Sequence, residues 1–178
     1  MFAAWAIAFL CFMPMSHSAP VDCNDLLKPS DQIHFHQLEG TWAMVADSMQ
    51  ITEFQHPVPR IGSVSVTLVN STYTRAMSID GRCFYDSHNV SNEGPNFKIE
   101  VPFNYTGTIL STSCADCVVL SLSMELPHKK SKELCLFSKR REVDPKELRE
   151  FIAQVDCLNM PKPVVMDPNE GLCPVYLF

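Results

Sequence analysis

The chain has 178 residues, 46% of them hydrophobic, and its 20 acidic against 14 basic residues give a net charge of −6. The basic residues cluster only at Lys139-Arg140-Arg141 and Lys129-Lys130. No basic stripe with interleaved aromatics exists, which argues against nucleic acid as a partner. The length suits one domain with a real core, carrying a solvated acidic surface.

Residues 1–18 contain no Asp, Glu, Lys or Arg and are apolar from Phe2 to Met13. Ser16-His17-Ser18 then places small residues at positions −3 and −1 of a signal-peptidase site, so cleavage is expected before Ala19. The segment lacks the basic start usual in such leaders. Its apolar run is too short to span a bilayer, and no second run follows. The expected division is a signal peptide over 1–18 and one secreted domain over 19–178, with no membrane span.

The next stretches read as strands. In 63–69, Val64, Val66 and Leu68 alternate with Ser63, Ser65 and Thr67. In 97–103, Phe97, Ile99, Val101 and Phe103 alternate with polar residues and Pro102. In 120–125, Leu120, Leu122 and Met124 alternate with Ser121, Ser123 and Glu125. A period of two puts each apolar set on one face of a sheet. Pro102 cannot donate to a ladder, so that strand is expected to bulge or end there.

Further strand-like runs cover 41–48, 73–79, 82–90, 107–113 and 133–139, and Asp80-Gly81 suits a tight hairpin between two of them. Eight sequential antiparallel strands with one apolar face each predict an all-β up-and-down barrel or a sandwich.

The period then changes. Asp144-Pro145-Lys146-Glu147 combines an N-cap, a proline at the first helical position and a glutamate three residues after the cap. Leu148, Phe151, Ile152 and Val155 follow at helical spacing. The spacing predicts one helix to about Asp156, packed outside the sheet, and then a proline-rich tail.

Of eight cysteines, Cys11 lies in the leader, leaving Cys23, Cys83, Cys114, Cys117, Cys135, Cys157 and Cys173. In an oxidising compartment this suggests three disulfides and one leftover thiol. Three N-glycosylation sequons begin at Asn70, Asn89 and Asn104, again as expected of a secreted chain. No Gly-x-Ser-x-Gly, phosphate loop or recognisable Cys/His pair is present, so neither catalysis nor a cofactor is expected. His34-x-His36 reads as a surface pair.

Gly40-Thr41-Trp42 opening eight strands, with Lys139-Arg140-Arg141 ending the eighth, resembles the lipocalin family over essentially the whole chain after the leader. The resemblance implies a barrel with Trp42 at its closed floor and a basic side chain over the indole ring. Arg140 is the expected residue and Lys139 the next choice; such a cation–π contact is favourable. The segment from Asp144 to Cys173 is similar to the α1-acid glycoprotein branch, and residues 107–125 to the pufferfish saxitoxin- and tetrodotoxin-binding proteins. The cysteine placement is similar to apolipoprotein M.

That branch implies the disulfides Cys23–Cys157 and Cys83–Cys173. Cys114 and Cys117 are then left for each other, with zinc or redox chemistry as the other readings of Cys-x-x-Cys. Cys135 is expected as a free thiol, an intermolecular disulfide being the alternative.

Within a barrel, the alternation assigns the cavity lining to Met44, Ala46, Val64, Val66, Leu68, Phe97, Ile99, Val101, Phe103, Leu120, Leu122 and Met124. It puts Asp47 and Glu100 on the other face, so the inner carboxylates that a guanidinium toxin would want are not expected and the toxin-binding role is not carried over. Asp86, Ser87 and His88, with no arginine between Gly94 and Gly107, argue against phospholipid recognition. The expected function is a secreted carrier, a monomer, of one small hydrophobic or amphiphilic molecule. The alternative is an acute-phase or immune-modulating glycoprotein acting through its surface and glycans. A lipoprotein or a receptor would then be a further partner.

Overall fold

A computed structural model describes residues 22–31, 35–51, 60–127 and 129–175. The expected leader with its expected cleavage site before Ala19, and His34, lie outside the described residues. Eight antiparallel strands run in sequence: β1 (Gly40–Ile51), β2 (Ile61–Val69), β3 (Thr72–Ile79), β4 (Arg82–Glu93), β5 (Asn96–Ile99), β6 (Asn104–Leu110), β7 (Cys117–Leu126) and β8 (Lys129–Ser138). Each pairs with the next, and β1 pairs with both β8 and β2, so the sheet closes into a barrel. β2 covers only the first part of β1, Gly40 to Ala43, and does not reach the rest of that edge.

Local chemistry sets the turns. Asp80 and Gly81 both have positive φ (49° and 75°), as a two-residue type I′ hairpin between β3 and β4 demands. The turn between β2 and β3 uses Asn70 and Ser71 at φ 47° and 63°. The strand expected over 97–103 stops at Ile99, and Val101, Pro102 and Phe103 form a bend. Pro102 has no N–H to give to a ladder, which accounts for the early end.

A second departure lies in β1. Its register against β8 shifts between Met44, opposite Phe137, and Ala46, opposite Leu136. Val45 is the extra residue of a β-bulge. Met44 packs inside the barrel, whereas Val45 and Ala46 both belong to a second apolar cluster outside it. Ala46, expected in the cavity, therefore faces outward. Beyond the bulge the alternation is inverted, and Asp47 turns inward.

That outer cluster is where helix α2 (Pro145–Cys157) docks. Phe151 and Val155 are fully buried against Val119, Leu134 and Leu136 on the outer faces of β7 and β8. Burying two such side chains contributes about 2 kcal/mol each. The helix opens with Asp144 N–H donating to Glu147 Oε2 at 2.7 Å, half of a capping box. Gln154 Nε2 donates to the carbonyls of Leu26 (2.8 Å) and Ser111 (2.9 Å), fastening the helix to the barrel.

Three disulfides complete the frame. Cys23–Cys157 ties the short helix α1 (Cys23–Leu26) to the end of α2, and Cys83–Cys173 ties the C-terminal tail to β4. Cys114–Cys117 spans a tight turn, and Cys135 is a buried free thiol. The first two close loops of 134 and 90 residues, worth about 5 kcal/mol each in the chain-entropy model, against roughly 2 for the third. Between α2 and the tail, β9 (Val164–Val165) adds to β1 opposite Ala46 and Asp47.

Candidate ligand-binding site

The floor is built around Trp42, 7% exposed, whose Nε1 donates to the Leu38 carbonyl at 2.8 Å. Leu38 ends a 3-10 turn (Phe35–Leu38) lying across this end of the barrel. The cation over the indole is Lys139, with Nζ 4.9 Å from the ring centroid. This corrects the expectation for Arg140. Arg140 instead points to the helix side, where Nε meets Asp116 Oδ2 at 2.7 Å and Nη2 meets Glu147 at 2.9 Å and Cys114 Sγ at 3.2 Å. Two carboxylates hold a guanidinium better than one indole face, and they settle the register.

Above the floor the barrel is nearly full. A void of only about 40 Å³ remains, entirely apolar, bordered by Trp42, Val66, Leu68, Phe97, Leu120 and Phe137 among others. That is room for a few water molecules at most. Gly107 explains part of the filling, because the Phe97 ring lies where its Cβ would be, with Cζ 2.2 Å from that position. Met44, Val64 and Ile99 are packed core residues bordering neither this void nor the mouth.

The space lies at the other end. A chamber of about 530 Å³ is lined by Met49, Ile51, Val101, Phe103, Leu122 and Met124 on its apolar side. Its polar side carries Arg75, Asp86, His88, Tyr105, Ser131 and Glu133, with Lys129 also on the lining. Of the expected lining residues, Val101, Phe103, Leu122 and Met124 are brought together here; the others belong to the filled half, except Ala46, which faces outward.

Carboxylates do lie inside the barrel, Asp47 among them, contrary to expectation. Arg75 Nη2 donates to Glu133 Oε1 at 3.2 Å, with side chains 17% and 8% exposed. Asp47 reaches the same group through Cys135, whose Sγ donates to Oδ1 at 3.7 Å. Burial, reinforced by Glu133, pushes the Asp47 carboxyl up to about 7 despite the nearby Arg75. Burial, and then Glu133 and Asp47, push the Cys135 thiol well above its usual range, so it stays protonated and unreactive. Burial works against the Arg75 charge, but Glu133 foremost more than offsets it, and Arg75 stays a cation. Tyr73 and Tyr105 are held protonated, mainly by burial.

No family model and no curated sequence matches the chain. Among solved structures it is similar to lipocalin 12 from rat epididymis, determined in solution by NMR. The TM-score is 0.67 at 14% identity, over 82% of this chain and 91% of that one. The fold is that of a lipocalin.

In this lipocalin barrel the polar cluster is engaged with its own partners. Asp47, Glu133 and Cys135 bring donor atoms within 4.8 Å of one another, and Glu133 among them is paired with Arg75 while Cys135 donates to Asp47. Cys114, Cys117 and Glu147 also converge, but those sulfurs are bonded to each other and Glu147 to Arg140. The cluster is suited to hydrogen bonding.

Sequence reading missed Arg75, Glu133 and Asp47. For Arg75 a signal existed, since Tyr73, Arg75, Met77 and Ile79 alternate in β3 and the first and third pack inside. In β8, Leu134 and Leu136 face the helix while Cys135 and Phe137 face inward. With both faces apolar, the phase of Glu133 could not be read.

Proposed function

We propose that the chain is a secreted carrier that holds one small amphiphilic molecule in the chamber at the mouth of its barrel. One observation carries the reading: an open chamber of about 530 Å³ in which an apolar wall meets convergent polar groups, the usual make-up of a small-molecule site. The filled floor limits the guest to the outer half, so it is compact or leaves part of itself outside.

Secretion is supported by the three disulfides, which persist in oxidising compartments. Asn70, Asn89 and Asn104 are all exposed, as glycan acceptors must be. Placement in the branch of α1-acid glycoprotein, apolipoprotein M and the pufferfish proteins rests on the sequence resemblance and on the cysteine pairs that accord with it.

Native mass spectrometry of the secreted full chain, before and after organic extraction, tests the reading. A mass lost at one per chain, and absent from a Leu122→Trp variant that fills the chamber, is the expected result. An unchanged mass, with no ligand from a lipid and retinoid panel retained, would sink the carrier and move attention to the outer surface.

A further inference from the structure

The chamber's buried ion pair lies at its inner end. Arg75 and Glu133 sit there with Asp47 one step further down, while Ile51, Met124, Val101 and Phe103 surround the opening beside Ser131 and Lys129. A polar end placed inward meets that buried pair while the apolar body meets the four apolar residues of the rim.

The inner groups also specify the head. Arg75 Nε is buried and has no hydrogen-bond partner among the described residues, and a buried N–H left so is destabilising. It requires an acceptor. Glu133 and the ionised form of Asp47 can only accept; each takes one donor already, Arg75 and Cys135, and has lone pairs left for a second. A carboxylate head offers no donor and meets Glu133, Asp47 and, on the strand next to Arg75, Asp86. An ammonium head offers no acceptor and meets Arg75. The head that satisfies both sides carries an acceptor and a donor side by side with no net charge.

We infer that the chamber seats its guest head-first and takes amphiphiles whose buried end is a neutral amide-like group, the carbonyl on Arg75 and the N–H on Glu133. Tyr105 and Phe103, with rings 6.4 Å apart and 25° from parallel, then flank the apolar body near the rim. The inference rests on the carrier reading and narrows it to a ligand class.

Calorimetric titration of the full secreted chain with octanamide, octanoate and octylamine tests it, since the three share one apolar body. At about pH 8, where Asp47 is largely ionised, octanamide is expected to bind roughly tenfold tighter than either ion. In an Arg75→Met/Glu133→Met double variant, which removes both partners together, the preference should shrink to about twofold. Octanoate or octylamine binding as tightly as octanamide to the unaltered chain overturns the head-group assignment and leaves the carrier standing. Failure of all three to bind, with an empty chain in native mass spectrometry, overturns both.

Discussion

The Asp47 carboxylate faces the Cys135 thiol inside the barrel, Oδ1 3.7 Å from Sγ, because a single extra residue at Val45 inverts the alternation of β1. Had the strand been regular, Asp47 would lie outside. Its carboxyl is raised from 3.8 to about 7, chiefly by burial. Between these values the folded chain holds a proton that the unfolded chain has released, so stability falls as pH rises through the window. Asp47→Asn should therefore match the parent at about pH 4 and exceed it by roughly 1–3 kcal/mol at about pH 8. Urea unfolding of both proteins across that range measures the difference. Parallel pH profiles would show that Asp47 is solvated like a surface carboxylate.

The run of strands and the helix were legible because each rests on a strong local signal, whereas the choice of a barrel over a sandwich came from the lipocalin resemblance. The Val64–Val66–Leu68 and Leu120–Leu122–Met124 alternations, the Asp80-Gly81 turn and the Asp144-Pro145 start all act within a few residues. The interior chemistry was not, because it depends on phase. Trp42 to Ala46 is a continuous apolar run, which serves both faces of a strand and conceals where the bulge falls. The unbroken run is itself the sign that β1 is covered on both sides, by the core and by α2.

Lys139 and Arg140 should separate by what they hold. Lys139→Ala removes an exposed cation from the Trp42 ring and should cost about 0.5–1 kcal/mol. It should also shift Trp42 fluorescence, which reports on the floor once the expected leader with the other tryptophan, Trp5, is removed. Arg140→Ala releases Asp116 and Glu147, and with Glu147 the first turn of α2. Thermal melts should place it below Lys139→Ala, with Trp42 emission unmoved. The reverse pattern would mean that Arg140 holds the floor after all.

Gly107 is fixed by Phe97, not by its backbone. The ring tip, 6% exposed as a residue, occupies the place of a Cβ. Gly107→Ala should destabilise by about 1–3 kcal/mol as an overpacked core site. Phe97→Leu in the same chain should recover part of that loss, a non-additivity that a double-mutant cycle reads directly. If the two changes simply add, the ring moves aside freely and the floor is looser than its 40 Å³ void implies.

The Arg75–Glu133 pair is the sharpest energetic test of the interior. Both side chains are largely buried and joined at 3.2 Å. Removing one member alone strands the other, and Arg75→Met should cost about 3–5 kcal/mol. Changing both to methionine removes the two charges together and should be near neutral, because desolvating such a pair offsets most of its attraction. If Arg75→Met alone is harmless, Glu133 is finding water through the open mouth. The pair would then be a solvated part of the chamber wall, free to trade partners when a guest enters.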